Sequence, residues 1–218
     1  MSPQPELALY YAPVACSLVP WITLTEAGAA FETRPVNLGN RGQMSPEFLR
    51  LNPKHRVPVL VIDGKPLTEN VAIQMWIARQ FPHARLMPED PMQYAQATSI
   101  VAWCASGIHP TLTPNALPDR FCTLPDSADN VRACAQKLMH EYLAIADQML
   151  AGRDWFLDHF TTADAYFYWC VRRAQMFKID ISAHRDCLAH FERMERRPSV
   201  QKLLAFEASV IAKFAAAP

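Results

Sequence analysis

Tyr10 to Pro20 reads YYAPVACSLVP. A strand ends in its first two residues, a proline-containing turn follows, and Cys16 and Ser17 open a helix. With Ser17 as N-cap, Pro20 falls at the third helical position, where its missing N–H had no intrahelical partner to lose. Cys16 then stands just ahead of the first turn, near the positive end of the helix dipole. Such a place favours a thiolate, its own or a ligand's. Magnitudes bound that statement. Moving a thiol from a pKa of about 8.5 to about 6.5 takes roughly 2.7 kcal/mol. A helix terminus supplies about 0.3–1 kcal/mol, and about 2 at best. The Ser17 hydroxyl and nearby backbone N–H groups would have to supply the rest.

Outward from this stretch, short extended runs alternate with helical ones. Leu7 to Tyr11 is a strand, and Leu18, Ile22 and Ala29 mark one face of the helix that follows. Residues 31–38 are extended, with Pro35 placing them at a sheet edge. Pro46 to Leu51 is a short helix. Val59 to Ile62 is a buried strand, Asp63-Gly64 a hairpin turn, and Lys65 to Thr68 the return strand. Residues 70–81 form a helix with Ile73, Ile77 and Phe81 on one side. The order β-α-β-α-β-β-α predicts a mixed four-stranded sheet covered by helices over residues 1–81.

Pro82, Pro88 and Pro91 mark residues 82–91 as a linker. Beyond it the pattern is helical, and residues 92–218 read as an all-α domain. Ala97, Val101, Cys104 and Ile108 follow a 4-3-4 spacing. Val131, Ala135, Leu138, Tyr142, Ile145 and Met149 continue the rule as the packed face of a long helix. The run ADAYFYWCV (163–171) is apolar nearly all round and predicts a buried helix. Thr161 and Asp164 stand at its start with capping-box spacing. Helices over 185–196 and 199–214 close the chain.

Composition narrows the function classes. The 218 residues are 50% hydrophobic and 19% charged, with zero formal net charge. There is no basic block to bind nucleic acid or an anionic membrane. No apolar run approaches the roughly 20 residues of a membrane span. The first six residues lack the basic and apolar regions of a signal peptide, so a cytoplasmic location is expected. The six cysteines (16, 104, 122, 134, 170 and 187) contain no C-x-x-C and no finger-like Cys/His spacing. Reduced thiols and no metal site are expected.

Two further elements give Cys16 company. Val57-Pro58 precedes a buried strand and is a candidate cis peptide; a cis bond there turns the Val57 N–H and C=O outward, ready to pair with a peptide ligand. Glu69 and Asn70 open a helix whose free N–H groups can hold a carboxylate, while Glu69 can bind an ammonium group. Together they make a receptor for an α-amino acid head.

In this order the elements resemble the cytosolic glutathione transferases, most closely the bacterial, cysteine-containing beta-type group. The stretches that carry the resemblance are YYAPVACSLVP (10–20), LNPKHRVPVL (51–60), LTENVAI (67–73), GIHPTLTP (107–114), HFTTADAY (159–166) and ERRPSVQKLL (195–204). The resemblance implies a thioredoxin-like N-terminal domain, a helical C-terminal domain, a homodimer and a role in detoxification. It implies glutathione as co-substrate and no metal. Cys16 matches the family's active-site cysteine. Val57 and Pro58 match the pair that holds the cysteinyl part of glutathione, and Glu69 and Asn70 the pair that receives its γ-glutamyl group. Asn70 departs from the usual Ser or Gly, but its amide can still donate to a carboxylate. Arg41 lies near the basic residue for the glycyl carboxylate, and His55 and Arg56 flank the same groove. His109 matches a histidine that faces the site from the second domain; the following Pro110 is a lysine in some beta-type members.

Tyr11, Trp103 and Phe121 are candidates to line the apolar substrate cleft. Three readings follow. In the first, helix-end donors around Cys16 and Ser17 hold glutathione as thiolate, which attacks a small apolar electrophile, with His109 orienting water or the electrophile. In the second, Cys16 forms a mixed disulfide and the protein is a thiol-disulfide oxidoreductase or peroxidase. In the third, the fold is a non-catalytic glutathione or hydrophobic-ligand binder. Isomerase, dehalogenase and ether-cleaving chemistries share the same fold, because cleft shape sets the substrate.

Overall fold

The computed structural model describes residues 5–216. It divides into two units: one runs to Leu86 and resumes at Arg197, and the other spans Met87–Arg196.

The first unit is built on β1 (Leu7–Tyr11), which runs parallel to β2 (Glu32–Pro35) and antiparallel to β3 (Val59–Ile62). β4 (Lys65–Thr68) pairs with β3, so the sheet order is β2-β1-β3-β4. β2 is an edge strand, as Pro35 requires. The β3–β4 turn has φ of 47° at Asp63 and 78° at Gly64, the double left-handed geometry of a tight hairpin.

Side chains alternate across the sheet. Tyr10 meets Phe48 of α2 (Pro46–Leu51) edge-on, with Val36 and Val59 in the same cluster. Tyr11 points to the other face, which carries α1 (Leu18–Glu26) and α3 (Asn70–Gln80). Leu18, Ile22, Ile73 and Ile77 are fully buried there. α1 ends three residues short of its predicted end, because Gly28 at φ 62° turns the chain out of the helix.

The last helix, α9 (Pro198–Ala216), packs on α1. Arg197 grips the Glu26 carboxylate with two bonds of 2.9 and 2.8 Å. Burial alone would raise the Glu26 pKa; the Arg197 and Ser199 hydrogen bonds outweigh it and lower it.

The second unit is helical: α4 (Pro91–Trp103), α5 (His109–Ala116), α6 (Ala128–Leu150), α7 (Thr162–Met176) and α8 (Arg185–Glu195). The predicted 4-3-4 seam of α4 is buried throughout, but its last part, Cys104–Ile108, is a π-helical turn that passes directly into α5. Gly107 is required in that turn, since a Cβ there would stand 2.8 Å from the Trp103 ring. α6 corrects the predicted packed face. Its buried seam is Ala135, Met139, Leu143, Ala146 and Leu150. Leu138, Ile145 and Met149 are 37%, 48% and 37% exposed. The helix carries two adjacent apolar stripes, and periodicity alone does not say which one packs.

α7 is buried nearly all round, and Thr161 and Asp164 form its capping box. The buried Asp164 carboxylate takes the Thr161 N–H at 2.7 Å, the Phe156 N–H at 3.1 Å and a bond to His190 Nε2 at 3.1 Å. Thr161→Ala is expected to cost about 0.5–2 kcal/mol. Asp164→Ala strands several buried groups and is expected to cost about 3 kcal/mol or more. Urea unfolding midpoints check this, and a Thr161→Ala loss equal to that of Asp164→Ala contradicts the ranking.

Candidate functional site

β1 ends at Tyr11, and the turn that follows is held from three sides. Ser17 stands at the N-cap position but makes no capping bond. It is fully buried, and its hydroxyl accepts the Ala12 N–H at 2.9 Å and donates to the Ala12 carbonyl at 3.2 Å. Those bonds close the strand-to-helix turn, so the hydroxyl is not turned toward Cys16 as the sequence reading required. Val14 has φ 56°, an outlier for a β-branched residue. Its N–H donates to Glu207 of α9 at 2.8 Å. The Tyr11 hydroxyl donates to the same carboxylate oxygen at 3.0 Å. Tyr11 is completely buried. It therefore belongs to the core beneath the turn, which corrects its place among the substrate-lining candidates.

The turn delivers Cys16 to Val57 and Asn70. The Val57-Pro58 peptide is cis, as expected. The Cys16 thiol donates to the Val57 carbonyl at 3.4 Å. The Asn70 amide donates to the Cys16 carbonyl at 2.9 Å. Asn52 anchors the segment before the cis bond, donating to the Arg56 carbonyl at 2.7 Å.

The Cys16 thiol is pushed up to about 12. Burial is the largest cause; the residue's own backbone N–H and the Arg56 charge pull the other way, and Glu69 adds to the rise. The residue as a whole keeps partial exposure, so the crowding lies around its sulfur. The helix terminus was expected to favour a Cys16 thiolate, and desolvation overrides it. A thiol raised this far favours the neutral S–H that donates to the Val57 carbonyl over the thiolate.

Glu69 has φ 71° and ψ 121° at the start of α3, an uncommon backbone conformation for a non-glycine residue that costs about 1–3 kcal/mol. Lys54 pairs with its carboxylate and also donates to Thr68 Oγ1 at 2.9 Å. Arg41 (φ 56°) and His55 (φ 48°) are exposed on their loops, as is Arg56.

The second unit holds the other candidates. His109 sits where the π-turn meets α5, inside a continuous rod and not at a helix end. Its Nδ1 lies 3.1 Å from the Tyr166 hydroxyl and its ring 4.3 Å from that of Trp169. A cavity of about 470 Å³ between α5 and α6 is lined by Gly107, Pro110, Phe121, Val131, Leu138 and Tyr142. Trp103 packs edge-on against Tyr142. Phe121 therefore lines an apolar cavity, and Trp103 buttresses it.

Sequence reasoning missed Glu207, Lys54 and the π-turn. Lys54 lay in plain view, four residues before Pro58. No local signal ties Glu207 to a turn 193 positions earlier. Among the described residues no helix is long and apolar enough to cross a membrane, and no cluster of side chains is fit to hold a metal ion.

A thioredoxin-like sheet with a cysteine ahead of its first helix and a cis-proline beside it, on one chain with a helical unit, is the architecture the resemblance implied. The family model "Glutathione S-transferase, N-terminal domain" matches residues 5–79. The chain is 32% identical over 205 residues to glutathione S-transferase GstA of Escherichia coli O157:H7, covering 92% of this chain and 98% of that one. It is 31% identical to the maleylacetoacetate isomerase of Mus musculus over 78% of each chain. A sphingomonad glutathione S-transferase solved in complex with glutathione superposes with a TM-score of 0.82 at 34% identity, over 92% of this chain and 98% of that one. The chain belongs to the glutathione S-transferase family, and a bacterial beta-class transferase is among its structural neighbours.

A thiol raised to about 12 gives a distinctive reactivity. Alkylation of Cys16 by iodoacetamide, followed on its own peptide, is expected to rise about tenfold per pH unit from pH 6 to 10 with no plateau. A plateau below pH 8 would contradict the protonated thiol.

Proposed function

We propose that this protein joins the sulfur of glutathione to a small apolar electrophile. The observation that carries the reading is the convergence of the Cys16 thiol, the Val57 carbonyl and the start of α3 through the two bonds at Cys16. Glutathione laid along this groove pairs its cysteinyl backbone with Val57, in the manner of an added strand. Among the described residues the Val57 N–H meets no backbone acceptor, so it is available for that pairing. The γ-glutamyl carboxylate meets the first-turn N–H groups of α3, which have no intrahelical partners. Its ammonium group meets Glu69, displacing or sharing Lys54. Arg41 and Arg56 supply positive charge for the glycyl carboxylate, and the His55 ring a hydrogen-bond donor.

Cys16, kept neutral by burial, turns its S–H from the Val57 carbonyl to the glutathione sulfur and stabilises the thiolate. The bound thiolate then attacks the electrophile's carbon while the leaving group departs. Proximity and a larger thiolate fraction supply the rate. Within the helical unit, Phe121 stands in the wall of an apolar cavity between α5 and α6, which supports it as an apolar contact. His109, held by Tyr166, is a candidate to orient the electrophile. The exposed stripe of Leu138, Ile145 and Met149 supports association of two copies. A cytoplasmic location and a role in detoxification go with the same reading.

The redox reading needs Cys16 as its own nucleophile, and a thiol this weakly acidic argues against it. Two measurements decide. Glutathione titrated against tryptophan fluorescence and followed by calorimetry is expected to saturate by millimolar concentration; no response there overturns the reading. Cys16→Ala is expected to keep glutathione binding and to lower conjugation to an activated aryl chloride by about tenfold to a hundredfold. Unchanged conjugation together with lost disulfide reduction would transfer Cys16 to redox chemistry.

A further inference from the structure

Asn70 is buried at the first position of α3, and its amide spans to the Cys16 carbonyl at 2.9 Å. The orientation of that amide follows from chemistry. A carbonyl oxygen only accepts, so the Asn70 atom facing it is the nitrogen. The Asn70 oxygen then faces Gln74 Nε2, one turn along α3, at 3.4 Å. Gln74 is fully buried, so this arrangement is enclosed by protein and not shaped by solvent. Both ends of the Asn70 amide are thus turned inward, while its backbone N–H stays at the open end of the helix.

The Cys16 carbonyl also accepts the Val19 N–H at 3.2 Å. Two donors therefore fix the plane of the Cys16–Ser17 peptide. That peptide is trans, since Val57-Pro58 is the one cis bond among the described residues. In a trans peptide the N–H points opposite to the C=O. Fixing the carbonyl fixes the Ser17 N–H, which meets no backbone acceptor among the described residues. The same clamp keeps the Cys16 sulfur within reach of Val57.

We propose that Asn70 is a positioning residue: its side chain does not bind glutathione but sets the Cys16–Ser17 peptide against the start of α3. One hydrogen bond then fixes the separation between the place that recognises the γ-glutamyl end of glutathione and the place that meets its sulfur. This role rests on the function proposed above, but its first readout does not need glutathione.

The test compares Asn70→Ala and Asn70→Ser with wild type. A serine hydroxyl can still donate to a ligand carboxylate, but it is too short to span to the Cys16 carbonyl. A positioning role therefore makes the two variants alike, and a ligand-donor role separates them. Without glutathione, iodoacetamide alkylation of the Cys16 peptide at pH 8 is expected to speed up by about tenfold in both, because the clamp is lost. In steady-state conjugation both are expected to lose about tenfold in kcat, with the glutathione KM changed by less than about threefold. Thermal unfolding checks that each variant is folded. If Asn70→Ala does not fold, Asn70→Ser carries the test, and Gln74→Met should shift alkylation in the same direction by a smaller factor. Asn70→Ser equal to wild type, with Asn70→Ala raising KM alone, overturns the proposal. So do two variants whose Cys16 alkylation matches wild type. If the wild-type protein shows no glutathione binding while the alkylation contrast holds, the functional reading fails and the positioning role stands.

Discussion

Val14 is held at φ 56°, where a β-branched side chain crowds its own backbone, by an N–H bond to the buried carboxylate of Glu207. Such a conformation costs about 1–3 kcal/mol and persists only where the surroundings over-determine it. Here they do. Glu207 also takes the Tyr11 hydroxyl, Ser17 closes the turn onto Ala12, and Phe206 packs on Tyr11 and Trp21. The strained turn is the hinge pin of the site. It brings a cysteine out of the sheet at the one place where a cis-proline carbonyl and the start of α3 both lie within hydrogen-bond reach.

The electrostatics of that cysteine are a contest between two effects of known size. A helix terminus and a nearby arginine favour a thiolate by about 1–2 kcal/mol. Desolvation of a charged sulfur is larger and wins, leaving a neutral S–H beside a carbonyl acceptor. The same burial that disfavours the Cys16 thiolate leaves its S–H free to donate to the Val57 carbonyl. In the proposed reading, a ligand sulfur entering the groove replaces the Val57 carbonyl as the acceptor of that S–H. Glu69, at the start of α3, carries a second positive φ, so backbone strain stands on both segments that converge on Cys16.

Much of this was legible in the chain. The alternation of strands and helices through residue 80, the hairpin at Asp63-Gly64 and the capping box at Thr161 are local signals, and local physics decides them; Pro58 marks a bond that can be cis without deciding that it is. What was not legible depends on tertiary partners. α6 carries two apolar stripes, and only the neighbours of the helix choose Met139, Leu143 and Leu150 over Leu138, Ile145 and Met149. Ser17 has the right residue type for a cap, yet its hydroxyl finds a better pair of bonds at Ala12. A tyrosine at the end of β1 suits a substrate wall as well as it suits the core, until Glu207 is seen to hold its hydroxyl. No local signal ties the Asn70 amide to the Cys16 carbonyl, which lies 54 positions earlier. The π-turn has no sequence signature beyond Gly107, whose need for space is visible only against the Trp103 ring.

α9 belongs with α1 and the sheet although the whole helical unit, Met87–Arg196, is threaded between them. The first unit is thus assembled from both ends of the chain. During synthesis, β1 to α3 leave the ribosome before Arg197 and the Glu207 of α9 have been made, so the Val14 N–H lacks its carboxylate partner when the turn's own sequence is complete. A chain cut before Glu207 loses the carboxylate that holds the Val14 N–H and the Tyr11 hydroxyl, a part that no inspection of the first eighty residues would reveal.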